Sequence, residues 1–202
     1  LEADGFTFDV VDGAVYVKRT SLEGTIVIPS TLSGYPVKGI KEDTTVSGAQ
    51  FVDSDEPVSI VLPEGLESIG EGTFSNCYTV ESVSLPSTLK SVGSLAFYNC
   101  SLRSIEFPES VREFGSSVVS NNRELTKAVL PSHLTEIPKG IFSGCESLTD
   151  FEFPSGVTTV NDYAFQSCGF TELTIPSSVT SVGAHSFSSM ERLERIVVPG
   201  SI

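Results

Sequence analysis

Cys77, Cys100, Cys145 and Cys168 offer the widest chemistry in this chain, since a thiol can pair as a disulfide, hold a metal or act as a nucleophile. Their spacing narrows the choice. No CxxC and no paired histidines accompany them, so metal binding finds no ligand set. Side chains on adjacent strands, about 4.8 Å apart, would fall within disulfide reach, whereas residues on a wider outer arc would not. We expect four free, buried thiols, because Cys also serves as a small core hydrophobe.

The carboxylates Asp150, Glu152 and Glu172 form a second candidate, with Lys127 and Arg195 flanking them and Glu106 nearby. Asp150 and Glu172 on neighbouring strands would imitate the roughly 5 Å carboxylate pair of a retaining glycosidase. An open face with no aromatic platform argues against that chemistry. Calcium on three acids has the right donor atoms but too few of them. A solvated charged face balanced by its basic neighbours is the plainer reading. The two histidines, His133 and His185, sit at variable positions, and nothing marks a base held by an orienting acid. Ile69-Gly70-Glu71-Gly72 lacks the lysine that follows a phosphate loop. Asn99-Cys100-Ser101 satisfies the glycosylation sequon formally, yet its cysteine belongs to the core column described next.

All these residues are placed by one repeat. Pro63, Pro86, Pro108, Pro131, Pro154, Pro176 and Pro199 follow at steps of 23, 22, 23, 23, 22 and 23. Apolar residues keep step: Leu62, Leu85 and Phe107 one before the proline, Leu66, Leu89 and Val111 three after, Phe74, Phe97 and Val119 eleven after. The four cysteines stand fourteen after, with Asn122 and Met190 in the same column. The unit reads L-x-x-I-x-L-P-x-x-L-x-x-I-G-x-x-A-F-x-x-C-x-x. Its opening half alternates as a strand with one buried face, and proline ends that strand. L-x-x-I-G should turn the chain, with Gly70, Gly93, Gly115 and Gly183 supplying unusual backbone conformations. The A-F-x-x-C piece has the spacing of one helical turn. One unit cannot bury its own apolar face, so the units must stack as a solenoid.

The first unit is swollen by eleven residues, and we place the excess in two loops, one near Gly34-Tyr35-Pro36 and one at residues 44–48. Asp12-Gly13 between apolar runs signals a hairpin. Residues 1–23 are therefore an expected N-terminal β-hairpin cap, and residues 24–202 the solenoid. Within it we expect an enlarged first repeat at 24–57, six regular repeats of 22–23 residues and a partial last repeat at 193–202. The acidic run Asp53-Ser54-Asp55-Glu56 reads as a polar connection, and the end within a repeat as a missing segment or an association surface.

This unit resembles the BspA-like (TpLRR) class of bacterial leucine-rich repeats over residues 24–202. Gly24-Thr25-Ile26-Val27-Ile28-Pro29 and Gly34-Tyr35-Pro36-Val37 are similar to that family's usual first repeat. The resemblance implies an α/β (β-rich) solenoid: a right-handed superhelix with short helical turns on the convex side. It also implies a non-enzymatic binding or adhesion module of a secreted or cell-surface bacterial protein, without cofactor.

Composition sets outer bounds. Twelve Lys and Arg against 26 Asp and Glu give −14, which disfavours nucleic acid and an anionic membrane leaflet. No apolar run reaches the roughly 18 residues of a membrane helix, and the start lacks a signal-peptide pattern. That start fits a cytosolic chain or a mature one whose leader is gone, and the resemblance favours the extracellular side. The expected partner is a protein or other cell-surface macromolecule, met at Glu106, Lys127, Asp150, Glu152, Glu172 and Arg195. Alternatives are a structural spacer in a larger surface protein and a carbohydrate-binding module, the latter disfavoured by the absence of Trp.

Overall fold

The computed structural model describes residues 1–20, 22–41, 51–52 and 54–202. The chain opens with β1 (Glu2–Ala3), β2 (Phe6–Val11) and β3 (Ala14–Thr20), followed by β4 (Thr25–Val27), β5 (Thr31–Leu32) and β6 (Tyr35–Ile40). Antiparallel β2 and β3 turn on Asp12 (φ 50°) and Gly13 (φ 75°), the two left-handed residues of a tight hairpin. Ser33 and Gly34 do the same between β5 and β6, so the excess near Gly34 is a second tight hairpin. The excess at 44–48 lies outside the described residues, as does Asp53.

From Val58 each repeat contributes two strands. They are β7 (Val58–Val61) with β8 (Ser68–Ile69), β9 (Val80–Ser84) with β10 (Ser91–Val92), and β11 (Ser104–Glu106) with β12 (Glu113–Phe114). Then come β13 (Lys127–Val129) with β14 (Glu136–Ile137), β15 (Asp150–Phe151) with β16 (Thr159–Val160), and β17 (Glu172–Thr174) with β18 (Ser181–Val182). β19 (Arg195–Val197) is the last. The first strand of each pair builds a front face of parallel sheets, β4-β7-β9, β11-β13-β15 and β17-β19. The second builds a back ladder, in which the N-terminal hairpin continues as β3-β6-β8-β10-β12 before β14-β16-β18. The L-x-x-I-G piece thus adds a short strand where the sequence suggests only a turn.

No helix occurs among the described residues, which corrects the expected helical turns. The reason is where the N–H groups go. Gly72, Phe74 and Asn76 each donate to the next repeat, at Ser94, Ala96 and Tyr98, over 2.8–2.9 Å. Every second amide is therefore spent sideways, and a helix would need it for its own carbonyl four residues back. Left-handed residues at both ends of the segment, such as Leu95 (φ 58°) and Asn99 (φ 56°), also break helical geometry. The result is a third ladder made of turns.

The glycine expectation needs a similar correction. Gly93 is not left-handed; a Cβ there would stand 2.5 Å from the backbone N of Glu71 in the preceding repeat. Glycine is required by close stacking rather than by φ.

One core runs the length of the stack. Phe51, Phe74, Phe97, Phe142 and Phe165 are fully buried, and Phe74 stacks on Phe97 at 5.0 Å and 3°. Each such side chain contributes roughly 1.5–3 kcal/mol on transfer grounds.

The front face is split twice, between β9 and β11 and between β15 and β17. Both splits precede a strand reached by a shortened connection. Elsewhere Cys77-x-x-Val80, Asn122-x-x-Leu125 and Cys145-x-x-Leu148 close a three-residue turn, Val80 N–H bonding Cys77 C=O at 3.1 Å. Cys100-x-Leu102 and Cys168-x-Phe170 lack one residue, and these are the two 22-residue repeats. Leu102 and Phe170 are still buried, so the apolar anchor is kept and the next strand shifts against its predecessor.

Candidate functional site

Strand alternation sends one set of side chains into the core and the other to the front. Ile60, Ile105, Ala128 and Leu173 are buried, while Ser82, Ser104, Lys127, Asp150, Glu172 and Arg195 are exposed. The register aligns Ser104, Lys127 and Asp150 across β11-β13-β15, and Glu172 with Arg195 across β17-β19. Lys127 Nζ meets Asp150 Oδ2 at 2.8 Å, and this pairing holds its ammonium above the usual lysine range, with Glu152 and Glu106 adding to the field. Both side chains are more than half exposed, so solvent screens the pair and it adds little to stability. The second split leaves Asp150 and Glu172 in different sheets, with no ladder holding the two carboxylates together. Among the described residues no group of three or more His, Cys, Asp and Glu is placed to hold a metal ion.

At the first split the front face sinks into a cleft of about 460 Å³. Its lining runs across four front strands, from Ser59 and Val61 of β7 through Ser84 and Glu106 to Lys127 and Val129 of β13. Two backbone bonds hold its base, Ser101 N–H to Val80 C=O and Arg103 N–H to Glu81 C=O, both 3.1 Å. Beyond them no ladder pairs β9 with β11.

The cysteines are free and buried. Cys100, Cys145 and Cys168 donate to the carbonyls of Phe74, Val119 and Phe142 over 3.0–3.3 Å. Asn122 does the same to Phe97 at 2.7 Å and also accepts Leu102 N–H. Four members of the column are inward donors, and burial pushes Cys145 up to about 12. Such thiols are poor nucleophiles.

Around the histidines the geometry holds no nucleophile and base. Ser132 Oγ donates to Glu109 Oε2 rather than to His133, whose ring meets Arg112 and lies 3.4 Å from the same carboxylate. His185 stacks on Tyr163 at 5.3 Å. The back ladder carries a charged column that sequence reading passed over: Glu67 bridges Lys38 at 3.0 Å and Lys90 at 2.7 Å, and the two ammoniums hold its carboxyl below the ordinary range. The signal was present, since Glu67, Lys90 and Arg112 all stand four residues after their prolines. No helix among the described residues is long and apolar enough to cross a membrane.

Comparison with known proteins follows the same repeat. The family described as BspA type leucine-rich repeat region (six copies) matches residues 44–168 and 117–202. Among solved structures the chain is similar to the T. pallidum leucine-rich repeat protein TpLRR, with 27% identity, a TM-score of 0.76 and coverage of 96% of this chain and 90% of that one. It is also similar to a leucine-rich repeat protein from Bacteroides ovatus, with 22% identity and a TM-score of 0.63. It covers 98% of this chain and spans 64% of the Bacteroides protein. No curated protein matches in sequence.

Proposed function

We propose that this chain, which belongs to the BspA-type leucine-rich repeat family, is a non-enzymatic module of a bacterial cell-surface or secreted protein that binds another protein through its front strand face. The observation that carries this reading is the contrast between the two sides of each front strand. One side closes a continuous core, while the other leaves Glu106, Lys127, Val129, Asp150, Glu152, Glu172 and Arg195 exposed on a shallow, regularly spaced surface. Stacked repeats make such surfaces at little cost in stability, because outward positions contribute nothing to the core. In this reading residues 1–23 cap the stack of residues 24–202, and an adhesive role outside the cell fits the acidic charge.

The test uses the chain as bait for cell-surface protein extracts, beside a variant with Asp150→Lys, Glu152→Lys and Glu172→Lys. A partner retained by the parent chain and lost by the variant, with retention weakening as salt rises, is the expected result. Equal retention by both would overturn the strand face as the binding surface.

A further inference from the structure

We propose that the open edge of β4 takes an added strand, an extended segment of the bound protein that carries lysine or arginine and is held along its backbone. The inference rests on the reading that this chain binds another protein, and it places a contact at the end of the front sheet rather than on its face.

β4 has a strand on one side only. Ser59 N–H of β7 donates to Gly24 C=O at 2.9 Å and Ile28 N–H donates to Val61 C=O at 3.0 Å, so Gly24, Ile26 and Ile28 spend their backbone groups on β7. In a parallel ladder alternate residues face opposite neighbours, and Thr25 and Val27 therefore turn theirs outward. The N-terminal hairpin does not meet them, because it joins the back ladder through β3 and β6 while the front sheet begins at β4. Among the described residues no other backbone group bonds the amide or carbonyl of Thr25 or Val27. The core below is nonetheless sealed. Ile26 and Ile28 are 1% exposed, whereas Val27 between them is 59% exposed. Thr25-Ile26-Val27 carries no lysine, proline or bulge of the kind that guards an edge. Two N–H and two C=O groups at strand spacing are matched by another extended backbone. A β-branched residue of that backbone opposite Val27 would cover it as Val61 does from the other side.

Charge selects the segment. Residues 1–57 hold ten Asp and Glu against four Lys and Arg. Three of those bases are engaged, Lys18 and Lys41 by Asp9 and Lys38 by Glu67. Glu23 adjoins β4, and Leu22 packs on Gly5 and so brings Asp4 alongside. Asp55 and Glu56 precede β7, and all four of these acids are exposed. Such a field draws a basic segment to this end and repels an acidic one.

The experiment titrates isotopically labelled protein with acetyl-Lys-Val-Lys-Val-Lys-amide and follows backbone amide shifts. One control peptide is N-methylated at every internal amide, which removes its donors in any register, and a second has glutamate in place of lysine. Saturable shifts centred on Thr25 and Val27 are expected, with binding about tenfold weaker for both control peptides. The Val27→Pro protein, which loses only an N–H turned away from β7, should bind the parent peptide about tenfold more weakly as well. Equal binding of either control peptide, shifts centred on β19, or a folded Val27→Pro protein that binds as the parent does would each overturn the proposal. Both control peptides meet the parent chain, so they decide the matter even where the proline disturbs folding. A dimer that forms without peptide and is lost in Val27→Pro would give the edge to a second copy and likewise overturn it. Should the edge fail while lysines at 150, 152 and 172 still abolish partner retention, the strand-face reading stands without it.

Discussion

Where Cys or Asn stands in the column fourteen residues after the proline, as at Cys100, Asn122, Cys145 and Cys168, the side chain fills a small inward space and meets a carbonyl of the preceding repeat, whereas Met190 in the same column has no donor to offer. Cys does both, and Asn122 does both with a different functional group. The column itself was legible from spacing. The donor requirement was not, because sulfur and amide share no obvious property until Phe74 C=O and Phe97 C=O stand opposite them. Burial then sets a pH dependence. Cys145 favours its neutral form in the fold, with its pKa pushed from 9.0 to about 12. A group whose folded pKa is raised stabilises fully below its unfolded pKa and loses that contribution as pH rises toward the folded one. The melting temperature should therefore fall as pH climbs from 9 toward 12, and Cys145→Ala should flatten that decline in a thermal melt series. A slope identical in both proteins would place the alkaline loss elsewhere.

At the scale of elements, strands were legible and turns were not. Alternation around Ile60, Val83 and Ile105 fixes the front strands, whereas A-F-x-x-C spacing suits a helical turn equally well. The sideways bonds of Gly72, Phe74 and Asn76, together with left-handed residues such as Leu95 and Asn99, decide against the helix, and those bonds depend on a neighbouring repeat. The two 22-residue steps were visible as numbers, but their consequence needs the three-residue turn that Val80 closes on Cys77 and that Leu102 lacks. Inserting one serine between Ser101 and Leu102 should restore that turn and pair β9 with β11. Hydrogen exchange at Val83 and Leu85 should then slow by about tenfold or more, as amides gain partners. Unchanged exchange in a folded insertion variant would show that the split has another origin.

For the whole molecule, the repeat commits its inward positions to the core and leaves its outward ones to a surface. Residues held by the core recur every 22 or 23 positions, and the irregular ones collect at the front face, its two splits and the charged back column. The six candidate residues were legible as an exposed set, because strand period alone assigns their side. Their grouping was not: adjacency in sequence columns suggests one patch, and the split between β15 and β17 divides it. A partner is expected to sit on the front face. Hydrogen exchange of the chain, free and with the protein it retains from the surface extract, tests this most directly. Protection should appear in β7, β9, β11, β13, β15 and β17 and leave the turn ladder around Phe74, Phe97 and Phe165 unchanged. Protection confined to that turn ladder or to the back column of Lys38, Glu67 and Lys90 would contradict it.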